Sequence, residues 1–190
     1  MIRDLILKNR SYRRFDEGIP IKRETLIELI DLGRLSPSGS NLQPLKYILS
    51  CEKEKNALIF KHLAWAGYLT DWEGPAEGER PTAYIVVLKD LEISQSFGCD
   101  HGIATQSIML GAVEKGLGGC IIGSVKRTQL SKALNIPPRY EIRLVIALGV
   151  PKEEVQLEVV DSDGDIKYWR DEKGVHHVPK RTLEDIVLEL

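Results

Sequence analysis

The chain has 190 residues, 43% of them hydrophobic and 28% charged, with a formal net charge of -2. That length allows one sizeable core, and the composition is that of a globular protein. The near balance of charge argues against nucleic acid as a partner, and no run is apolar and long enough to span a membrane.

In chain order, residues 1–8 read as a short amphipathic helix with Ile2, Leu5 and Ile6 on one face. Residues 22–34 form a stronger one, with Leu26, Leu29, Ile30 and Gly33 at helical spacing. The run Ser36-Pro37-Ser38-Gly39-Ser40-Asn41-Leu42-Gln43-Pro44 breaks that pattern. A short strand is expected at 46–50, then a charged turn at 52–55, a helix at 57–68 and a Gly/Pro/Glu-rich loop at 71–81. Residues 83–88 are continuous, apolar and β-branched, the mark of a strand buried on both faces. A long helix follows at 100–115, capped by Gly116. It is apolar nearly all round and rich in small residues, which places it centrally or in a subunit interface. A glycine-rich stretch at 116–123, a polar helix at 126–134 and a buried strand at 142–150 come next. The tail reads as a hairpin or extended arm, with turns at 161–164 and 172–174.

No repeat or linker divides the sequence, so one domain over residues 1–190 is expected. Cys51, Cys99 and Cys120 are far apart and form neither a CxxC nor a zinc spacing. Together with the charged Arg3-Asp4 pair where a signal peptide needs an apolar run, they point to the reducing cytoplasm.

Arg10, Ser11 and Arg13 put guanidinium forks and a hydroxyl on one short segment, a donor set suited to a phosphate. The same residues also suit a solvated helix end. The 36–44 run offers amides that can read the edge of a heterocycle, or is an ordinary turn. One helix separates the two stretches, so both can line a single pocket. Gly116 to Gly123 lacks the GxGxxG spacing, with Ile121 at the last position, and follows a helix, so it is not a dinucleotide fingerprint. Lys180 and Arg181 add phosphate donors or form a surface pair beside Glu184 and Asp185. Trp65, Tyr68 and Trp72 are core residues or a lid that stacks on a flat substrate. Asp161, Asp163 and Asp165 form an acidic turn without calcium-loop spacing. His176-His177 reads as a pair of exposed strand histidines rather than a metal site, and Cys120 as a buried inert thiol. No metal is expected.

Taken together, four motifs in order resemble the FMN-dependent nitroreductase family over nearly the whole chain. They are Arg10-Ser11-Tyr12-Arg13, Pro37-Ser38-Gly39-Ser40-Asn41-Leu42-Gln43-Pro44, Gly116-Leu117-Gly118 leading to Gly123, and the basic pair Lys180-Arg181. The resemblance implies an α+β, three-layer α/β/α fold with a mixed, mostly antiparallel sheet flanked by helices. It implies a homodimer with exchanged C-terminal arms and FMN at the interface. By matching position, Arg10, Ser11, Lys180 and Arg181 would hold the phosphate, and Arg13 would lie near the N1/O2 edge of the flavin. Tyr12, Pro37, Ser38, Gly39, Ser40, Asn41 and Gln43 belong to the matching segments, the loop coming from the same or the other subunit. Ile121, Ile122 and Gly123 would run beside the ring.

The implied activity is a ping-pong transfer from NADH or NADPH to a nitroaromatic, quinone or similar small acceptor. Arg13 would be an electrostatic stabiliser, with no catalytic acid or base. Leu45 stands where the family often has an aromatic residue, and Gly39-Ser40 replaces a common Ala-Gly. Two other readings stay open: a specialised flavin enzyme of the same fold, such as a dehalogenase or flavin-cleaving enzyme, and a non-enzymatic flavin binder.

Overall fold

The computed structural model describes residues 1–95 and 98–188. Its centre is a four-stranded antiparallel sheet in the order β1-β2-β4-β3, formed by β1 (Leu45–Ser50), β2 (Ala83–Asp90), β3 (Gly118–Ile122) and β4 (Tyr140–Gly149). Every residue of β2 is buried, as its unbroken apolar run predicts. Side chains alternate between the two faces of a strand, and both faces are covered. On one face, Ala83, Ile85 and Val87 pack with Leu26 and Leu29 of α2 (Arg23–Arg34) and with Ile108, Met109 and Ala112 of α4 (Asp100–Glu114). On the other, Tyr84 and Val86 pack with Ile59 of α3 (Lys53–Phe60) and Leu130 of α5 (Arg127–Ala133). The result is the expected α+β, three-layer arrangement.

The parallel component lies outside this sheet. β5 (Val155–Val160) pairs in parallel with β7 (His176–Arg181), and β6 (Trp169–Arg170) pairs antiparallel with β7. Only the 172–174 turn therefore makes a hairpin. Beyond β7 the chain ends in α6 (Leu183–Ile186), and residues 189 and 190 of the expected terminal run lie outside the described residues.

One expectation needs correction. The helix expected at 57–68 spans Lys53–Phe60 instead. The charged residues read as a turn are good helix formers and open it. The second half leaves the helix because residues 61–66 run beside the exit of β3, where Leu63 bridges Val125 and the Ala64 N–H donates to the Ser124 carbonyl at 3.0 Å. That detour brings Trp65 alongside β3. The long helix α4 buries Ala104, Gly111 and Ala112, and on its other side Gly102, Ile103 and Gln106 form an exposed stripe.

Candidate functional site

The segment from Arg10 to Arg14 leaves α1 (Ile2–Lys8) in extended conformation and lies along the edge strand β3. Ser11 bridges Gly119 in parallel, and the Tyr12 N–H donates to the Gly119 carbonyl at 2.9 Å. A Cβ on Gly119 would sit 2.5 Å from the Ala147 carbonyl oxygen, so only glycine lets β3 lie this close to β4 here. Phe15, fully buried, anchors the segment in space that the missing side chain of Gly149 leaves open.

A buried carboxylate fixes the rest. The Glu153 side chain is 0% exposed, accepts the backbone N–H groups of Arg13 and Arg14 (the latter at 3.2 Å), and pairs with the Arg170 guanidinium at 2.9 Å. The Arg14 guanidinium is spent on a two-pronged pair with Glu79 at 2.7 and 2.5 Å, which holds the Glu79 carboxyl below its usual range. Arg13 is 8% exposed. Its Nη1 donates to the Ser11 carbonyl at 3.2 Å and meets the His176 Nε2 at 2.9 Å, and its guanidinium lies 4.6 Å from the centre of the Tyr168 ring.

His176 is 1% exposed, which corrects the expectation of an exposed strand histidine. Burial, reinforced by the charge of Arg13, pushes its pKa down to about 4, so the ring is neutral at neutral pH. Nε2 accepts from Arg13, which puts the proton on Nδ1, a buried atom without a hydrogen-bond partner. His177 is different: it sits between Glu158 at 2.7 Å and Asp171 at 3.3 Å, and the Glu158 bond raises its pKa.

Two cavities of about 300 and 220 Å³ share Arg13, Ile121 and Tyr168 in their walls and lie side by side along β3 as the two ends of a trough. The larger end presents Arg10, Ser11, Gln106 and Lys180 beside Met109 and Val178. The smaller end is lined by Trp65, Ala66, Ile122, Gly123 and Ser124. Ile121, 44% exposed on an otherwise buried strand, forms part of both walls. Arg10 donates from Nη2 to the Ile6 carbonyl at 2.7 Å, but its Nε is buried and unpartnered, and burial disfavours its charge. An anion at this end would offset the cost to its charge.

The structure thus gathers Arg10, Ser11, Arg13, Ile121, Ile122, Gly123, Lys180 and Trp65 around one trough. Tyr68 packs at a tilt against Tyr168 beside it, ring centres 4.9 Å apart. Tyr12 turns its hydroxyl to the Lys8 carbonyl, Arg181 is held by Asp185 at 2.9 Å, and Trp72 packs on the core beneath Arg170. Cys120 is buried, and burial raises its thiol pKa, in keeping with an inert role.

The second stretch does not join this trough within one chain, contrary to the single pocket expected. Pro37, Ser38, Gly39, Ser40 and Gln43 line cavities around Asp100 instead. The Asp100 carboxylate, at the start of α4, accepts from Ser38 Oγ at 2.5 Å and from the Gly39 N–H at 3.0 Å. Ser38 Oγ in turn accepts the Gln43 N–H at 2.9 Å. Ser40, Asn41 and Gln43 all have φ between 50° and 55°, a left-handed backbone that costs non-glycine residues about 1 kcal/mol or more each. Such local strain concentrates at functional loops.

The sequence model of the Nitroreductase family matches residues 6–74 and 78–150. The chain belongs to the nitroreductase family. Among similar proteins, it is 26% identical over 166 residues to a Vibrio harveyi NADPH-flavin oxidoreductase, covering 82% of this chain and 68% of that one. A solved nitroreductase family protein from Clostridium novyi NT is 27% identical, with a TM-score of 0.67, over 80% of this chain and 87% of that one. An FMN-dependent nitroreductase from Clostridium difficile R20291, at 24% identity and a TM-score of 0.64, shares the fold over 81% of this chain and 89% of that one. The family match stops at residue 150, so Glu153, Tyr168, His176 and Lys180 lie in a part of the chain it does not cover.

Proposed function

We propose that the trough holds FMN and that the protein is an NAD(P)H-dependent flavin oxidoreductase. The observation that carries this reading is a pair of adjoining cavities with Arg10, Ser11 and Lys180 in the wall of one and the buried Arg13 guanidinium in the wall of both. The donors Arg10, Ser11 and Lys180 suit a phosphate, and the walls of Ile121, Tyr168 and Trp65 suit a flat ring. Bound FMN would take a hydride from NADH or NADPH and pass electrons to a nitroaromatic, quinone or similar small acceptor in a ping-pong cycle.

The chain's own residues bind, orient and polarise. Arg10, Ser11 and Lys180 hold the phosphate. Arg13 supplies a fixed positive charge in a desolvated setting, where it stabilises negative charge at the ring edge far better than water would. Neutral His176 locks that guanidinium without competing for its charge. Arg181 stands next to Lys180 but is engaged by Asp185.

The reading includes a homodimer in the cytoplasm. Exposed Ile2, Ile6 and Leu7 on α1, Leu42 in the strained loop and Ile103 on α4 supply apolar surface for a second copy. In that assembly the loop at residues 37–43 of one copy, with Asn41 and Gln43, would face the trough of the other. Among the described residues, no helix is long and apolar enough to cross a membrane.

Steady-state oxidation of NADH or NADPH by the FMN-loaded protein, with a nitroaromatic acceptor varied at several donor concentrations, tests the cycle. Parallel double-reciprocal lines are expected; intersecting lines would rule out a ping-pong order.

A further inference from the structure

Part of the wall at the smaller end of the trough is main chain that has left the sheet. β3 ends at Ile122, opposite Val145, although β4 extends beyond that rung to Tyr140. Gly123 and Ser124, which line the smaller cavity, lie past the last rung. Two tight turns follow. The Val125 N–H donates to the Gly123 carbonyl at 3.0 Å, and the Arg127 N–H donates to the Val125 carbonyl at 2.9 Å. Bonds of this span fold the chain locally but do not fasten it to the sheet.

One side chain supplies the fastening. Arg127, the first residue of α5, donates from Nη2 to the Gly123 carbonyl at 3.1 Å and to the Arg143 carbonyl at 2.9 Å, and from Nε to the Ile142 carbonyl at 3.0 Å. Its two acceptors on β4 sit at an irregularity. Val87 of β2 faces Leu144 and Leu88 faces Ile142, so the register skips Arg143. An extra residue of this kind bends its strand and interrupts regular pairing. The guanidinium takes the place of the missing rungs and clamps the trough wall to the bulge. A planar fork can meet several carbonyls at once, whereas a lysine ammonium is a single point. The segment that carries Trp65 leans on the same wall: the Ala64 N–H donates to the Ser124 carbonyl at 3.0 Å, and the Lys126 N–H donates to the His62 carbonyl at 2.9 Å.

We propose that Arg127 is a positioning residue for the redox step. It lines neither cavity, yet it fixes the wall beside which the flavin ring lies. This role rests on the reading that the trough holds FMN. Arg10, Ser11 and Lys180 belong to the other cavity, so the hold on the phosphate does not depend on the clamp. The consequence is a split between binding and chemistry. Misplacing reacting groups by about 1 Å can cost about a hundredfold in rate. The bonds to residues 62–64 limit the displacement, so a loss of about tenfold is expected.

The test is Arg127→Gln, with Arg127→Lys beside it. Amide hydrogen exchange in the glutamine variant should quicken about tenfold at Ala64 and Lys126. Tyr12, whose N–H is bonded to Gly119 on the same strand, should exchange as in the wild type. FMN affinity, read by fluorescence, should change by less than about threefold, while stopped-flow reduction of the FMN-loaded protein by NADH or NADPH slows about tenfold. The lysine variant should fall between wild type and glutamine in both exchange and rate. Unchanged exchange at Ala64 and Lys126 overturns the proposal. So does reduction at the wild-type rate, or a loss of FMN affinity as large as the loss of rate. Either result in a protein whose wild type is reduced normally leaves the oxidoreductase reading standing. A wild type that binds no FMN, or that neither nicotinamide reduces, overturns that reading and this role with it.

Discussion

Replacing Glu153 by Ala removes the one buried carboxylate that holds the Arg13 and Arg14 backbone and the Arg170 guanidinium. Breaking a buried ion pair by deleting one partner costs about 3–5 kcal/mol. Arg170 keeps 16% of its side chain exposed and can recover some hydration, so the lower end, about 3 kcal/mol, is expected. For a chain of this size that loss corresponds to a fall in Tm of about 6–12 °C in thermal unfolding. Glu153→Gln keeps an acceptor for the backbone but loses the charge, and should lose about half as much. Both variants should also bind FMN more weakly, by about tenfold for the alanine, because Arg13 is no longer held over the trough. A Glu153→Ala protein with wild-type Tm and FMN affinity would refute this account and leave Phe15 and the Ser11–Gly119 bridge as sufficient anchors.

Arg13→Ala should slow flavin reduction by NADH or NADPH about a hundredfold in stopped-flow measurements made with FMN bound, as expected for loss of a fixed charge at developing negative charge. Arg10→Ala and Lys180→Ala should each weaken FMN about tenfold in fluorescence titrations while leaving riboflavin, which lacks the phosphate, unchanged. The folded pKa of His176 is lowered from 6.5 to about 4, so the unfolded chain takes up its proton first and stability falls as pH drops through that window. The loss is about 2 kcal/mol between pH 7 and pH 5 in urea unfolding, and His176→Gln should lack it. His177, with its pKa raised, works in the opposite direction: its contribution is present at low pH and fades as pH rises.

The sequence marked the central architecture well because local pattern and tertiary burial agree there. The apolar run in β2, the helical spacing of Leu26 and Leu29 in α2, and Gly116 with its φ of +73° after α4 each carry a short-range signature. α3 was misjudged because Trp65 and Tyr68 continue a helical apolar rhythm, whereas the chain there follows β3. In the site, Arg10, Ser11 and Arg13 were legible as a phosphate-type donor set. Glu153, Tyr168 and His176 were not, because each meets Arg13 across 140 residues or more and carries no local motif. The loop at 37–43 was legible as special, but its distance from the trough was not. A turn pattern fixes local backbone, and the Asp100 carboxylate that ties the loop to α4 lies 62 residues from Ser38.

The most direct measurement is an absorption spectrum of the purified protein, followed by anaerobic addition of NADH or NADPH. Flavin bands near one per chain that bleach with a nicotinamide are the predicted result. Protein that takes up no FMN when it is added would contradict the trough assignment. FMN that binds but stays oxidised under both nicotinamides would contradict the oxidoreductase reading.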